Sequence, residues 1–272
     1  MTDAVDIARA HYNATGVTAK IRDALAKIAP EDQRLTIAQL AAMDQFHTRG
    51  MLATKELAAM TPIGPHTRVL DLGSGVGGPA RFLAATFGCH VVGVDLSENF
   101  VDAATYLTRR CAMEDQVSFQ VGNALDLPFE AASFDLIFLQ HVAMNIEDRA
   151  GLYAEIARVL TPGGRLATYD VILKDGDVHY PNPWARDASA SFLLTEGETR
   201  DALVAAGLDP IAWRDDSEVA LGWFATLTAG GPPAGPTLAV VLGPDFPALI
   251  GNLGRNLKEG CIGILSAIAE RR

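Results

Sequence analysis

The segment from Val69 to Gly78, VLDLGSGVGG, joins a short apolar run to four glycines in six positions. A helix-like stretch, PARFLAATF, follows at once. This order predicts a buried parallel strand, a tight turn and the N-terminus of a helix. Because glycine has no Cβ, the backbone of such a turn can approach a ligand closely.

A second apolar run, VVGVDLS from Val91 to Ser97, contains Asp95 about twenty residues after the turn. A carboxylate at the end of this strand can accept hydrogen bonds from both hydroxyls of a ribose. The two motifs together therefore indicate a cofactor that contains adenosine.

The acidic residue before the turn bears on which cofactor binds. Gly73, Gly75 and Gly78 satisfy G-x-G-x-x-G, a pattern that is only weak support for NAD or FAD. Asp71 precedes the first glycine by two residues, where a carboxylate can bind the ammonium of a methionyl group but would repel a pyrophosphate. The turn also follows a helical lead-in of about seventy residues, whereas NAD domains often begin near the strand. These features favour S-adenosylmethionine.

The motifs from Thr67 to Val171 resemble, in order, those of class I S-adenosylmethionine-dependent methyltransferases. DLGSGVGG is similar to their glycine motif, GVDLS to their ribose motif and GNALDLPF to their adenine motif. FDLIFLQHV resembles their fourth strand, and LYAEIARVLTPGGRLATYDV the turn before their fifth. DQFHTRG, QHVAMN and YPNPWA look most like bacterial relatives of sarcosine/dimethylglycine and phosphoethanolamine N-methyltransferases.

Apolar strands alternate with helical patterns from Arg68 onward, which predicts βαβ crossovers and an α/β fold. The resemblance implies a doubly wound, Rossmann-like sheet of seven strands whose last strand is antiparallel. We expect an N-terminal helical cap over residues 1–62 and a methyltransferase domain over 63–272. Within the latter we expect a lid loop at about 174–191 and a helical insertion at about 217–259.

The resemblance also implies which residues bind S-adenosylmethionine and release S-adenosylhomocysteine. Leu96 is expected to pack on the adenine, and Gln140 to reach the methionyl part. The family commonly has Asp-Ala where this chain has Asn123 and Ala124, so Asn123 would accept through its amide oxygen without charge assistance. The expected cofactor set is Asp71, Gly73, Ser74, Gly75, Gly77, Asp95, Leu96, Asn123, Ala124 and Gln140, joined by Gln45 and His47 of the DQFHTRG segment.

His141 and Asn145 lie on the segment that leaves the fourth strand, beside the expected methyl group. His141 is predicted to act as a base or substrate ligand, or else to be a structural histidine. Phosphoethanolamine-type enzymes carry a histidine where Asn145 aligns, so their base cannot be transferred to this chain. Similar enzymes cover the cofactor with an N-terminal tyrosine, which makes Tyr12 the lid residue expected here.

Three aromatic residues are expected to wall the substrate site, namely Tyr169, Tyr180 and Trp184. Tyr169 belongs to the predicted fifth strand, where we expect it at the strand end and the pocket mouth. Tyr180 and Trp184 lie in the proline-rich stretch after it, where the alternative is that they only stiffen a surface loop.

Composition excludes several kinds of partner. The net charge of −11 argues against nucleic acid and anionic membranes, and no apolar run approaches a membrane span. The N-terminus lacks the features of a signal peptide, and three scattered cysteines without CxxC fit a reducing cytoplasm. The six histidines show no metal-ligand spacing, so no metal is expected.

We therefore expect in-line methyl transfer to a small-molecule acceptor, with an amine nitrogen as the first choice. Oxygen, sulfur or carbon acceptors of secondary metabolism stay open, as do a monomer and a homodimer. A different class, an NAD-dependent reductase or a non-catalytic nucleotide-binding protein, would use the same fold. The chain has no Tyr-x-x-x-Lys, the pair expected of a reductase.

Overall fold

Seven strands form one sheet in the computed structural model, which describes residues 16–229 and 235–272. They are β1 (Arg68–Leu72), β2 (His90–Asp95), β3 (Val117–Val121), β4 (Phe134–Gln140), β5 (Leu160–Leu173), β6 (Leu208–Asp215) and β7 (Ile262–Arg271). Their order across the sheet is β3-β2-β1-β4-β5-β7-β6. Strands β1 to β5 pair in parallel, whereas β7 runs antiparallel to both β5 and β6. The predicted sheet, with its antiparallel last strand, is confirmed.

Helices cover both faces of the sheet. Along the described chain they are α1 (Val17–Leu25), α2 (Ile37–Asp44), α3 (Met51–Ala59), α4 (Gly78–Phe87), α5 (Glu98–Arg110), α6 (Arg149–Val159), α7 (Glu196–Ala205), α8 (Ser217–Ala229), α9 (Ala239–Leu242) and α10 (Phe246–Glu259). Strand β1 is buried from Val69 to Leu72 because helices lie on both sides of it. The boundaries of the expected cap, domain, lid and insertion stay predictions.

The order in which strands are added to the sheet reverses at β1: β2 and β3 lie on one side of it, and β4 and β5 lie on the other. In open α/β sheets the crevice at such a switch point, above the carboxyl ends of the strands, is where ligands bind. The glycine turn after β1, the end of β2 and the end of β4 all meet there.

Two cap helices, α2 and α3, close over this edge. Helix α2 begins with a capping box in which Thr36 and Gln39 exchange hydrogen bonds. It ends at Asp44, and the chain turns through Arg49 and Gly50, both at positive φ, before α3 begins. Two separate helices therefore flank Gly50.

A buried ion pair fastens the cap to the sheet. The Arg81 guanidinium of α4 lies 2.9 Å from the Asp44 carboxylate, with side-chain exposures of 0% and 2%. Arg81 also donates to the Val76 carbonyl in the glycine turn and to the Thr108 hydroxyl. One fully buried cation thus joins the cap, the turn and α5.

Strand β5 is longer than its sequence predicts. It continues to Leu173 because β7 pairs with it from Arg165 onward, ending at the Leu173–Ile262 pair. Tyr169 consequently lies inside the strand and is 1% exposed. The expectation that Tyr169 ends the strand at the pocket mouth was wrong.

No helix in residues 16–229 or 235–272 is long and apolar enough to cross a membrane.

Candidate active site

The glycine turn closes tightly against its neighbours. Gly73, Gly75 and Gly77 all have positive φ, a region in which other residues are strained. A Cβ on Gly73 would lie 2.2 Å from Val142, and one on Gly77 would lie 2.4 Å from the Phe119 ring. Packing and backbone conformation therefore both require glycine at these two positions.

Asp95 is held at the end of β2 by two backbone amides. Gly75 N–H donates to its Oδ2 at 2.8 Å, and Ser97 N–H donates to its Oδ1 at 2.9 Å. An ionised carboxylate has about four lone-pair positions, so it can still accept from a ligand. Burial raises the pKa of Asp95 to about 6, although hydrogen bonds from the backbone N–H groups of Ser97, Gly75 and Leu96 oppose the shift. The group is therefore ionised at neutral pH.

A cavity of about 1480 Å³ opens over the carboxyl ends of the strands. Asp95 lies on its wall beside the glycine turn, and polar side chains of the cap and of β4 form the adjoining wall. Helices α8, α9 and α10 supply the opposite, mainly apolar wall. Pockets for drug-sized ligands usually measure about 300–1,000 Å³, so this larger cavity has room for a cofactor and a second molecule.

Thr54 of α3 links three polar side chains on the cavity wall. Its Oγ1 lies 3.2 Å from Gln45 Oε1, 2.9 Å from His47 Nε2 and 3.2 Å from Gln140 Oε1. Gln140 is thereby turned so that its oxygen faces Thr54, and its buried Nε2 has no partner among the described residues. That nitrogen is a donor which a ligand carboxylate could satisfy.

His47 is a neutral imidazole. Its Nε2 lies 2.9 Å from the Gly50 carbonyl, which can only accept, so that nitrogen carries the proton. Burial lowers the pKa of His47 to about 4.

His141 follows β4 directly and has a positive φ of 55°. Its ring lies parallel to that of Tyr169, with 5.5 Å between centroids, and faces the edge of His47 at 6.2 Å. Burial, together with the neighbouring His47, lowers the pKa of His141 well below its usual value. Its buried Nε2 has no hydrogen-bond partner in the described part of the chain. A neutral imidazole on the cavity wall can therefore accept a proton or a hydrogen bond from a ligand.

Comparisons with known proteins place this geometry in a family. Residues 70–168 match the family model described as a methyltransferase domain. The chain carries a methyltransferase domain. This segment includes the glycine turn, Asp95 and His141.

Two similar proteins are both named as methyltransferases. The chain is 33% identical over 176 residues to the glycine/sarcosine/dimethylglycine N-methyltransferase of Actinopolyspora halophila, covering 64% of this chain and 31% of that protein. It is 33% identical over 175 residues to the 27-O-demethylrifamycin SV methyltransferase of Amycolatopsis mediterranei, covering 61% and 62%. The chain spans about half the length of other curated relatives that it matches.

The fold is also that of a solved methyltransferase. Geranyl diphosphate C-methyltransferase from Streptomyces coelicolor A3(2) is 21% identical, with a TM-score of 0.72, covering 100% of this chain and 99% of that one. At this identity the likeness extends to the fold. The predicted family and fold class are both confirmed.

Most of the residues predicted for the site of the methyltransferase domain lie on the cavity wall. They are Gly73, Gly75, Asp95, Leu96, Asn123, Ala124, Gln140, Gln45, His47, His141, Asn145 and Trp184. Five others, Asp71, Ser74, Gly77, Tyr169 and Tyr180, are not part of that wall. Tyr12 lies outside the described residues. The individual roles assigned to all of them stay predictions.

Asp71 lies behind the glycine turn and is 2% exposed. Burial raises the pKa of Asp71 to about 7; the Ala80 N–H opposes this shift, and the charge of Asp95 adds to it. Its Oδ2 has no partner among the described residues. The proposed contact with a methionyl ammonium has to be made from this recessed position.

Asn145 and Trp184 fix the stretch after β5 against the domain. Asn145 Nδ2 donates to the Trp184 carbonyl at 2.7 Å, and the Trp184 indole donates to Ser191 Oγ at 2.9 Å. Trp184 is 1% exposed although it lines the cavity. It is therefore a packed wall residue rather than part of an exposed loop.

Asn123 already uses its amide oxygen, which accepts from Leu125 N–H at 3.0 Å. A carbonyl oxygen has two lone pairs, so one is left for an adenine amino group.

A group of possible metal ligands lies away from the cavity wall. His179, Glu259 and Cys261 have ligand atoms within 4.8 Å of one another, a grouping that linear spacing did not reveal. His179 Nε2 is 2.6 Å from Glu259, whose other oxygen binds Arg255 at 2.8 Å. The carboxylate is thus engaged in a surface ion-pair network.

Proposed function

We propose that this protein transfers a methyl group from S-adenosylmethionine to an amine nitrogen of a small-molecule acceptor. One juxtaposition carries the proposal. The Asp95 carboxylate, which can still accept from a ligand, and the neutral His141 imidazole line the same cavity.

The residues at the turn fit S-adenosylmethionine. Asp95 would accept from the ribose hydroxyls, Leu96 would pack on the adenine, and Gln140 Nε2 would donate to the methionyl carboxylate. When bound, S-adenosylmethionine supplies a methyl group on a sulfonium that leaves as a neutral thioether. The chain therefore has to align the acceptor and exclude water rather than activate the leaving group.

His141 would accept the proton that the acceptor loses. As the amine forms its new N–C bond, Nε2 of His141 receives the proton from the nitrogen. Because its pKa lies well below the usual value, His141 is neutral before the transfer and releases the proton readily afterwards. A hydroxyl acceptor would lose its proton in the same way, so oxygen is the alternative that this geometry supports.

The enclosure of the cavity supports a small acceptor. Leu238 N–H donates to the Ala42 carbonyl at 3.0 Å, which joins the insertion to the end of the cap helix α2. A folded protein or a nucleic acid would have to displace this closure. Cys89, Cys111 and Cys261 are free and buried, which supports a reducing cytoplasm as the working compartment.

The test is methyl transfer from radiolabelled S-adenosylmethionine to a panel of amines, phenols and thiols. We expect label in one or more amines and at least tenfold less with His141→Asn. Label only in phenols would replace nitrogen by oxygen as the acceptor. Tight binding of NADH without binding of S-adenosylmethionine would overturn the proposal in favour of a reductase.

A further inference from the structure

The cavity has a second, apolar end that the cofactor residues do not use. Helices α8, α9 and α10 line it. Its lining side chains are Leu221, Phe224, Leu238, Leu242, Phe246, Ile250 and Leu253.

Helix α10 has a second apolar face that is only partly buried. Leu249, Leu253 and Leu257 form its buried face. On a neighbouring face of the helix, Phe246 and Ile250 are only partly buried, and both line the cavity. Residues four apart on a helix share a face, so these two form a ridge along the cavity. An apolar ridge beside an open cavity offers surface for a ligand to cover.

Glycines widen this end. Gly251 of α10 lines the cavity, and a Cβ there would meet nothing within 4 Å. Gly254, one turn away from Ile250, faces the Phe224 ring, which would lie 3.4 Å from its Cβ. Small side chains at these positions keep space open between α8 and α10.

Charges on the wall do not suit a phosphate or a small zwitterion. In the described chain the wall contains two permanently cationic side chains, Arg49 and Lys258. Arg49 already pairs with Glu56 through both guanidinium nitrogens, at 3.0 and 2.5 Å. Lys258 is exposed. Anionic groups are usually bound by several convergent cations or a bidentate arginine, and this wall supplies neither.

We propose that the methyl acceptor carries an extended apolar body, an alkyl chain or hydrocarbon ring system, that binds between α8, α9 and α10. This inference rests on the proposed function, because it assigns the acceptor to the space beside the cofactor. The reacting atom faces His141, and the apolar body lies against Phe246 and Ile250. This acceptor is unlike glycine or sarcosine, whose bodies are too small and polar to cover that surface.

The first experiment titrates n-butylamine, n-hexylamine, n-octylamine and n-decylamine into the full-length protein saturated with S-adenosylhomocysteine. Each buried CH₂ contributes about 0.8 kcal/mol, so we expect affinity to rise by about fourfold per carbon. An affinity that stays flat along the series would overturn the inference. Failure of S-adenosylhomocysteine itself to bind would contradict the proposed function instead.

A matched pair of variants locates the binding. Gly251→Leu should fill the apolar end and weaken n-octylamine by at least about tenfold, because several CH₂ groups lose their contacts. Gly222→Leu is the control: it also lies on an insertion helix, a Cβ there also meets nothing within 4 Å, and it is not part of the wall. S-adenosylhomocysteine should bind both variants within about twofold of the unmodified protein. Equal losses of n-octylamine affinity in the two variants would overturn the placement of the apolar body between α8, α9 and α10.

Discussion

The His141 imidazole lies parallel to the Tyr169 ring, with 5.5 Å between centroids and 8° between planes. The backbone reinforces this stack, since His141 N–H donates to the Tyr169 carbonyl at 2.8 Å. Strand β5 thus holds both the backbone and the ring of His141. This pair of contacts keeps His141 in place despite its positive φ and a buried nitrogen that no described residue contacts through a hydrogen bond.

The His141→Asn variant tests whether His141 acts in methyl transfer rather than in cofactor binding. Asn tolerates positive φ better than most residues, so the backbone can keep its conformation. We expect turnover to fall by about 10²–10⁴-fold, the usual contribution of a general base. Affinity for S-adenosylhomocysteine, measured by calorimetry, should stay within about twofold.

Tyr169→Phe is the control for that variant, because it keeps the stacked ring and removes only the hydroxyl. Its turnover should stay much closer to that of the unmodified protein. Equal losses of turnover and of S-adenosylhomocysteine affinity in His141→Asn would assign His141 a structural role.

Asp95 gives cofactor binding a pH dependence. Its pKa is raised to about 6 by burial, so the carboxylate is ionised above that pH and protonated below it. Affinity for S-adenosylhomocysteine should therefore fall as pH decreases through about 6, because a protonated carboxyl accepts fewer hydrogen bonds. Asp95→Ala should weaken binding by more than about tenfold at neutral pH.

Asp95→Asn serves to assign the titration, since Asp71 also titrates near neutrality. The amide cannot ionise, so this variant should lose the decline near pH 6 and bind weakly throughout. An Asn variant with the same pH profile as the unmodified protein would assign the titration to another group.

The Arg81–Asp44 pair is expected to stabilise the cap. Arg81→Met should lower the free energy of unfolding by about 3–5 kcal/mol, because it leaves the Asp44 carboxylate buried without its partner. The double variant Arg81→Met/Asp44→Leu should be less destabilised than Arg81→Met, since neither charge is then buried. Urea unfolding of the two variants measures this difference, and a double variant as unstable as Arg81→Met would count against the pair.

Gly78 is a contact point between the cap and α4. A Cβ there would lie 2.1 Å from the Asp44 carbonyl oxygen, so Gly78→Ala has to displace the end of α2. We expect a loss of about 1–3 kcal/mol in unfolding free energy, together with weaker S-adenosylhomocysteine binding. Gly197→Ala in α7 is the control, because a Cβ there meets nothing within 4 Å. Similar behaviour of the two variants would show that the contact is unimportant.

The local parts of this site were predictable from sequence. The strand, the turn and Asp95 lie within about thirty residues, and their glycines and apolar runs are a short-range pattern. Their place on the cavity wall follows from the parallel sheet, which brings strand ends to one edge.

The parts that sequence reasoning missed depend on partners distant in the chain. Nothing in the sequence around Thr54 marks it as a site residue, because its hydroxyl contacts Gln140 only in the folded protein. The burial of Arg81 depends on its ion pair with Asp44, which lies 37 residues away in the sequence. The length of β5 depends on pairing with β7, and the helices of the insertion were expected without their role in lining the cavity.

The most direct test of the central claim is calorimetric titration with S-adenosylmethionine, S-adenosylhomocysteine and NADH side by side. The arrangement of Asp95, Gln140 and the glycine turn predicts micromolar binding of the first two and no heat with NADH. Binding of NADH alone would contradict the assignment and redirect the search to hydride acceptors.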